Sequence, residues 1–414
     1  MILHFFISHP RGFIVHGLSI GNTCSNISAW SCCVTRAQLR LEKPIRMGID
    51  SESLGQNQLN NSDSEEVPLL VEFDHSRVQG SSSFWNAVFN TTNALLGLGL
   101  LSYPFAFRST GWSGFALLIF LSIATCYSAI LIRRCVERIQ PDFEGEASFR
   151  EIGFAAFGNA AGFFILIVFS VEMFLACSAY IVLVADNLAK LLPFASQVTW
   201  MVIATAVMIP TSWPKNFSFL AYFGVFGIFA SLFLLVVVVS EGFSKKSSPG
   251  SILHPDHTSM FELSTFPMSI GLYMSGFAGH AVFPSVLASM KHQESYNSVI
   301  FLSYIISVSA YILMGVCGYL MYGSNVEREI TLNFSSETGS VIATWMTVLT
   351  PICKFALTIY PVSVPIVDFL KMKYSCRSIS HGTVIFIRTS LAICTLLVAI
   401  MVWKKPWCSD VMCS

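Results

Sequence analysis

The sequence predicts an all-α membrane protein with about nine membrane-spanning helices, of which the first and the sixth are discontinuous. Its 414 residues are 54% hydrophobic and only 12% charged, whereas an ordinary soluble domain is about 25% charged. Apolar runs near the ~20 residues that cross a ~30 Å hydrocarbon core recur along the chain. Two of these runs carry glycine and proline near their middle. The composition and the runs together exclude a soluble globular protein.

The predicted spans lie at 84–107, 112–132, 156–185, 198–212, 217–240, 265–290, 298–322, 341–367 and 381–403. All are predicted as helices, because an isolated strand cannot satisfy its backbone polar groups in lipid. They form a predicted membrane domain at 81–403, which a short tail follows at 404–414. Residues 1–80 are polar and without periodicity from about Gly48, which predicts a largely disordered cytoplasmic tail.

The distribution of charge predicts the orientation. If span one starts in the cytoplasm, the cytoplasmic segments hold fifteen Lys and Arg residues and the opposite side holds seven. Positively charged residues are enriched in cytoplasmic loops. The amino terminus is therefore predicted to be cytoplasmic.

The tail contains the hexamer "EEVPLL", in which Glu65 precedes Leu69 and Leu70. This is the form of an acidic dileucine sorting signal that coat adaptors read. The alternative is a chance match, since short motifs recur without function.

Spans one and six are interrupted in the same manner. Span one reads "NALLGLGLLSYP" from Asn93 to Pro104, and span six reads "MSIGLYMSGFAGHAVFPSV" from Met268 to Val286. Paired interruptions of this kind are typical of inverted-repeat secondary transporters with a substrate site at the membrane midplane. The amino ends of the half-helices would offer backbone amides to a carboxylate. The alternative is a kink or close packing at small residues.

Four stretches resemble the amino acid/auxin permease family, and within it the plant vacuolar amino acid transporter type. They read "SSFWNAVFNTTNALLGLGLLSYPFAFRSTGW", "VEMFLACSAYIVLVADNLAKLLP", "GFAGHAVFPSVLASMK" and "LTPICKFALTIYPVSVPIVDFL". The resemblance runs from about Ser82 to Val398. It implies a fold of five plus five inverted spans with an eleventh added, which carries amino acids across the vacuolar membrane in exchange with or alongside protons. By that resemblance the substrate would be surrounded by Asn93, Leu96, Gly97, Leu98, Gly99, Ser275, Gly276, Phe277 and Gly279.

The sequence departs from the family at its carboxyl end. After span nine it reads "VWKKPWCSDVMCS" and shows no tenth or eleventh span. The second repeat is therefore expected to be incomplete, as in a truncated form.

Ionisable residues within membrane spans are functional candidates by default, because charge at the bilayer centre is costly. Glu172 in span three is a candidate proton-coupling carboxylate. The alternatives are a structural ion pair with Lys354 and a protonated carboxyl that donates a hydrogen bond. Lys354 in span eight would place an ammonium where sodium-coupled relatives of the fold hold a cation. His280 beside the second break is a further proton-coupling candidate. Arg388, early in span nine, is expected to extend toward the cytoplasmic interface.

The predicted function is proton-coupled secondary active transport of neutral amino acids by alternating access. The vacuolar membrane is the expected location, ahead of the plasma membrane. The alternative is a truncated form that senses amino acids or regulates without transporting. The expected partners are an amino acid, protons, the lipid bilayer and sorting adaptors. No enzyme activity, cofactor, metal site or nucleic-acid binding is expected.

Overall fold

The computed structural model describes residues 80–96, 99–139, 148–214, 217–262, 265–334, 337–374 and 380–403. The regular elements of these ranges are helices, with one isolated β-bridge between Ser82 and Met290. The α-helices are α1 (Phe84–Leu95), α2 (Gly99–Thr110), α3 (Ser113–Ile139), α4 (Phe149–Phe157), α5 (Asn159–Leu191), α6 (Gln197–Thr211), α7 (Phe217–Ser244), α8 (Phe266–Gly276), α9 (Phe283–Ser289), α10 (Tyr296–Tyr322), α11 (Glu337–Tyr374) and α12 (His381–Trp403). Short 3₁₀ turns occur at Ala278–Val282, Gln293–Ser295, Gly323–Asn325 and Ile330–Asn333.

Each of the nine predicted spans corresponds to helix. Seven helical segments of the described chain are long and apolar enough to cross a membrane, with α8, its 3₁₀ turn and α9 counted together as span six. The other two predicted spans are the interrupted first span, formed by α1 and α2, and the 15-residue α6. The predicted discontinuities in spans one and six are therefore confirmed as breaks in the helices.

Helix lengths differ from the apolar runs at several ends. Span three extends to Leu191 and span eight runs from Glu337 to Tyr374, because polar residues at a span's ends keep the helical backbone where water or headgroups solvate them. The sequence did not predict α4. Its start is fixed by a capping box in which the side chains of Ser148 and Glu151 satisfy backbone N–H groups.

Two hydrophobic cores organise the helices. One joins spans one, two, five, six and seven, and the other joins spans three, four, eight and nine. Span eight contributes residues to both cores, with Ala356 in the first and Phe355 in the second. It therefore lies between the two groups of helices, next to the interrupted spans.

The ends of both interrupted spans are fastened together on the membrane side where span one begins, here called the N side. The Ser82 N–H donates to the Ser289 carbonyl at 2.9 Å, and the Lys291 N–H donates to the Ser82 carbonyl at 2.9 Å. The Ser218 hydroxyl at the start of span five lies 2.7 Å from the Ser82 hydroxyl and 2.9 Å from that of Ser81. These five residues form the N-side clamp.

Two loops are fastened to span one on the opposite side. The guanidinium of Arg108, near the end of α2, donates to the Val326 carbonyl at 2.7 Å. The Asn325 amide donates to the Asp256 carboxylate at 3.2 Å, which joins the loop after span seven to the loop after span five. In the same loop, burial raises the pKa of Glu329, and the positive charge of Lys190 at the end of span three opposes this rise. The loop after span seven therefore lies close to both groups of helices.

Candidate functional site

The two breaks meet in the interior of the bundle. A Cβ atom added to Gly99, the first residue of α2, would lie 2.8 Å from the Gly276 Cα atom and 2.9 Å from its nitrogen. Only glycine allows this approach, so the backbones of the two interrupted spans are in direct contact here. Leu96, which ends α1, is fully buried. Gly97 and Leu98 lie outside the described residues.

The carboxyl ends of the first half-helices, α1 and α8, face hydrogen-bond donors. The Tyr311 hydroxyl oxygen in span seven lies 2.6 Å from the Leu95 carbonyl oxygen and 2.7 Å from the Gly276 carbonyl oxygen. The Lys354 ammonium donates to the Ala94 carbonyl at 3.1 Å. The carboxyl end of a helix carries partial negative charge and favours donors and cations. The described donors thus lie on the carbonyl side of the breaks, whereas the sequence had suggested binding at the amide side.

Lys354 is almost completely buried, at 3% exposure. Among the described residues no carboxylate lies within ion-pair distance of its ammonium. The alternative in which Lys354 pairs with Glu172 is therefore wrong in this structure. Lys354 instead connects span eight to the end of α1.

Glu172 lies in the middle of span three and is half-buried, between exposed Val171 and buried Met173. Within the described part of the chain, no hydrogen bond or ion pair joins its carboxylate to either break. A role for Glu172 in proton movement therefore depends on a step that this conformation does not show.

His280 lies in the 3₁₀ turn of span six and contacts two backbone carbonyls. Its Nδ1 atom lies 2.9 Å from the Phe277 oxygen, and its Nε2 atom lies 3.0 Å from the Thr125 oxygen in span two. A neutral imidazole has one N–H, so both contacts are hydrogen bonds at once only when the ring carries two protons. His280 is therefore a proton-binding candidate beside the second break.

The other predicted substrate residues also surround the breaks. The Asn93 side-chain amide donates to the Cys353 carbonyl at 3.4 Å, while its Oδ1 atom is buried without a hydrogen-bond partner. Ser275 donates to a carbonyl of its own helix, and the Phe277 ring is buried. Gly279 approaches the backbone of α1, where an added Cβ would lie 3.2 Å from a carbonyl carbon. The Asn93 Oδ1 atom faces Gly227 of span five.

The tyrosines around the breaks were not predicted from the sequence. The Tyr311 ring stacks on Tyr103 with a centroid distance of 4.3 Å, and the Phe277 ring stacks on Tyr304 at 5.9 Å. Tyr304 and Tyr311 are seven residues apart in span seven, which places both on one face of the helix. That spacing was the available signal in a span that otherwise reads as apolar.

Arg388 reaches the N-side end of span four, but its guanidinium is buried there against protein carbonyls and is not solvated as the sequence suggested. It is 4% exposed. Its guanidinium donates to the Ser212 and Pro214 carbonyls at 2.8 and 2.6 Å and to the Ser363 hydroxyl at 3.2 Å, and it lies 4.8 Å from the Tyr360 ring centroid. The last carbonyls of a helix lack donors within the helix. Arg388 supplies donors at the end of span four and joins spans four, eight and nine.

A small, partly open cleft lies on the N side of the breaks, between spans three, six and eight. One edge is closed by the rings of Phe149 and Phe169, which stack at 4.4 Å. Its walls are formed by Ser148, Phe149, Arg150, Leu166, Phe169, Ser170, Met173, Ala281, Pro284, Ser285, Pro361, Val362, Val364 and Pro365. The cleft reaches Ala281, one residue beyond His280, and so approaches the second break from the N side. The tail residues Glu65, Leu69 and Leu70 lie outside the described residues.

Comparison with known proteins places these features in a family. Residues 80–404 match the family model described as "Transmembrane amino acid transporter protein". The chain is 35% identical over 332 residues to "Amino acid transporter AVT1D" of Arabidopsis thaliana, covering 77% of this chain and 58% of the relative. It is 32% identical over 333 residues to "Amino acid transporter AVT1E" of the same plant, covering 78% of this chain and 61% of the relative. The chain thus spans about three fifths of the length of these two relatives.

The fold is also found among solved structures. A Na⁺-coupled sialic acid symporter in a substrate-bound outward-open state superposes with a TM-score of 0.56 at 11% sequence identity, covering 93% of this chain and 81% of the symporter. This likeness supports the inverted-repeat transporter fold that the paired breaks predicted. The family match and the plant relatives together show that this chain belongs to the transmembrane amino acid transporter protein family.

Proposed function

We propose that the protein is a proton-coupled secondary active transporter of neutral amino acids in the vacuolar membrane. The observation that carries the proposal is the meeting of the two breaks, where the carbonyl ends of α1 and α8 face Tyr311 and Lys354. Interrupted helices at the midplane form the substrate site in transporters of this kind. The relatives named as amino acid transporters supply the substrate class.

The chemistry of the breaks favours a neutral side chain on the substrate. The described groups there are backbone carbonyls, tyrosine hydroxyls, aromatic rings and the Lys354 ammonium, which already donates to Ala94. A charged side chain buried among them would need a partner of opposite charge. The described part of the breaks presents no carboxylate for a basic amino acid, and the one ammonium is engaged. The predicted substrate-binding residues stay part of the proposal: Asn93, Leu96, Gly97, Leu98, Gly99, Ser275, Gly276, Phe277 and Gly279.

Proton coupling is proposed at the basic groups on the carbonyl ends. Unwound carbonyls and half-helix carboxyl ends coordinate Na⁺ or H⁺ in this class of transporter. Lys354 occupies such a position at Ala94, and His280 occupies another at Phe277. Loss of a proton would weaken the contact of either group with its carbonyl and allow the half-helix to move. Glu172 remains a third candidate, as a relay within span three.

The proposed location rests on the charge distribution and on the tail hexamer. The N side is taken as cytoplasmic because the Lys and Arg residues are concentrated there. If adaptors read "EEVPLL", alanine at Leu69 and Leu70 moves a tagged protein away from the vacuolar membrane. An unchanged vacuolar location would remove the hexamer from the proposal.

Transport by the purified chain in proteoliposomes tests the function. Labelled neutral, acidic and basic amino acids are offered with and without a pH gradient, and sodium is replaced by choline throughout. The expected result is uptake of neutral amino acids that depends on the gradient. Glu172→Gln should reduce that dependence if Glu172 relays protons, whereas Glu137→Gln at the exposed end of span two is the matched control. Binding without uptake would favour the sensing alternative, and absence of binding would refute the proposal.

A further inference from the structure

Tyr311 makes a contact whose geometry the proposed function does not explain. Its single hydroxyl lies within hydrogen-bond distance of two carbonyl oxygens, those of Leu95 and Gly276, at 2.6 and 2.7 Å. A phenol has one proton to donate. One of the two carbonyls is therefore without a donor from Tyr311 at any moment, although both belong to buried residues.

The two acceptors come from the two interrupted spans, whereas the donor comes from a third helix. Leu95 ends α1 and Gly276 ends α8, so each carbonyl lies at the negative end of a half-helix dipole. A group with several N–H donors and a positive charge matches this pair of acceptors better than a neutral hydroxyl does. A primary ammonium has that chemistry.

The surroundings hold the Tyr311 ring in place without its hydroxyl. The ring is fully buried, stacks on Tyr103 and meets the Phe277 ring edge to face at a centroid distance of 5.6 Å. Neighbouring Tyr103 provides a contrast, because its hydroxyl donates to one acceptor, the Tyr273 carbonyl, at 3.1 Å. The Tyr103 bond has the one-donor, one-acceptor form of an ordinary structural hydrogen bond, and the Tyr311 contact does not.

We propose that the Tyr311 hydroxyl is a placeholder, which occupies the Leu95 and Gly276 carbonyls in the empty site and yields them to the ligand's ammonium group. Tyr311 is then a positioning residue that sets ligand affinity through competition. The inference rests on the proposed function, because it assumes an amine-bearing ligand at the breaks.

Competition predicts that removal of the hydroxyl strengthens binding. In Tyr311→Phe the ring stays, but the empty site loses a hydrogen bond that the ligand would otherwise have to displace. The expected result is a Kd for a neutral amino acid about tenfold lower, the equivalent of one hydrogen bond. The deaminated analogue of the same amino acid, which keeps the carboxylate, should show no gain.

The test measures binding of both ligands to purified wild-type chain, Tyr311→Phe and the matched control Tyr296→Phe by isothermal titration calorimetry. Tyr296 begins the same span on the N side, and its buried hydroxyl donates to one acceptor, the Ala129 carbonyl, at 3.3 Å. Tyr296→Phe should leave the Kd within about twofold of wild type. A weaker Kd in Tyr311→Phe would show that the hydroxyl contacts the bound ligand and would overturn the inference. An equal gain in Tyr296→Phe, or for the deaminated analogue, would overturn it as well.

A second measurement uses the wild-type protein, so it tests the inference even if Tyr311→Phe folds poorly. The infrared difference spectrum between ligand-bound and empty wild-type protein should show a shifted tyrosine C–O band, because the hydroxyl changes its acceptor. Tyr296→Phe should keep this band shift, and absence of the shift from wild type would overturn the inference. If wild type binds the amino acid but Tyr311→Phe is unchanged, the inference fails alone. If wild type binds no amine-bearing ligand, the proposed function fails with it.

Discussion

Replacing Lys354 by methionine should abolish proton coupling without destabilising the protein. The ammonium is 3% exposed and makes one charge-assisted hydrogen bond, to the Ala94 carbonyl at 3.1 Å. Such a bond contributes about 1.5–3 kcal/mol. Keeping an ammonium out of water costs several kcal/mol. Methionine has a similar length and no charge, so the two effects offset, and the free energy of unfolding should stay level or rise by about 1–4 kcal/mol.

The effect of Lys354→Met on proton coupling should be large in comparison with its effect on stability. If Lys354 exchanges the coupled proton, Lys354→Met removes the titrating group at the end of α1. The ratio of amino acid uptake with and without a pH gradient should then fall to about one, while exchange between two amino acid pools persists. Proteoliposome uptake measures the ratio, and thermal unfolding in detergent measures stability.

A control on the same helix separates coupling from general damage. Lys371 is exposed and pairs with Asp368 at 2.7 Å, so Lys371→Met should leave both uptake and stability unchanged. The reasoning is refuted if Lys354→Met keeps its dependence on the pH gradient. A loss of about 3–5 kcal/mol in stability with coupling intact would show that Lys354 only joins spans one and eight.

Three further predictions concern the packing and charge of the described helices. Gly99→Val should separate the two breaks and destabilise the protein by about 1–3 kcal/mol, because its Cβ would overlap Gly276; Gly271→Ala, with nothing within 4 Å of the added Cβ, is the control in the same binding and melting assays. Arg388→Leu should lower stability by about 2–5 kcal/mol, since it leaves buried carbonyls without donors, and a melting temperature equal to that of wild type would contradict this. Burial raises the pKa of Glu329, so the folded state holds this proton more readily than the unfolded chain does. Stability should therefore fall as the pH rises from the ordinary carboxyl range through the raised pKa. Glu329→Gln should flatten this part of the plot of melting temperature against pH, and an unchanged slope would contradict the prediction.

The hydrophobic pattern predicted the spans and the position of both breaks. Apolar runs of membrane-spanning length can be recognised in a sequence, because the bilayer core admits few backbone structures other than helices. Gly99, Gly276 and Gly279 were recognisable because glycine has few reasons to occur in pairs within a span. The helix ends were less predictable, since polar residues beyond Ala185 in span three continue the helix to Leu191.

The hydrogen-bond partners of the buried polar groups could not be predicted from the sequence. Lys354 was identified as a candidate from its charge, but its contact with Ala94 depends on two helices 260 residues apart in the chain. Arg388 was misread because its distance from the span end suggested water, whereas the folded chain brings the end of span four to it. Tyr311 gave little signal, because a tyrosine in an apolar span is compatible with many positions.

The N-side clamp sets the least free energy that is needed to open the N side of the protein. For α1 to separate from the end of span six, the two backbone hydrogen bonds between Ser82 and residues Ser289 and Lys291 must break. At about 0.5–1.5 kcal/mol each, they favour the fastened state by about 1–3 kcal/mol, which is roughly a five- to 150-fold population ratio. A ligand or proton that opens this end must therefore bind the open state more tightly by at least that factor. These two backbone hydrogen bonds therefore set the smallest difference in affinity between the open and fastened states with which a ligand can open the N side.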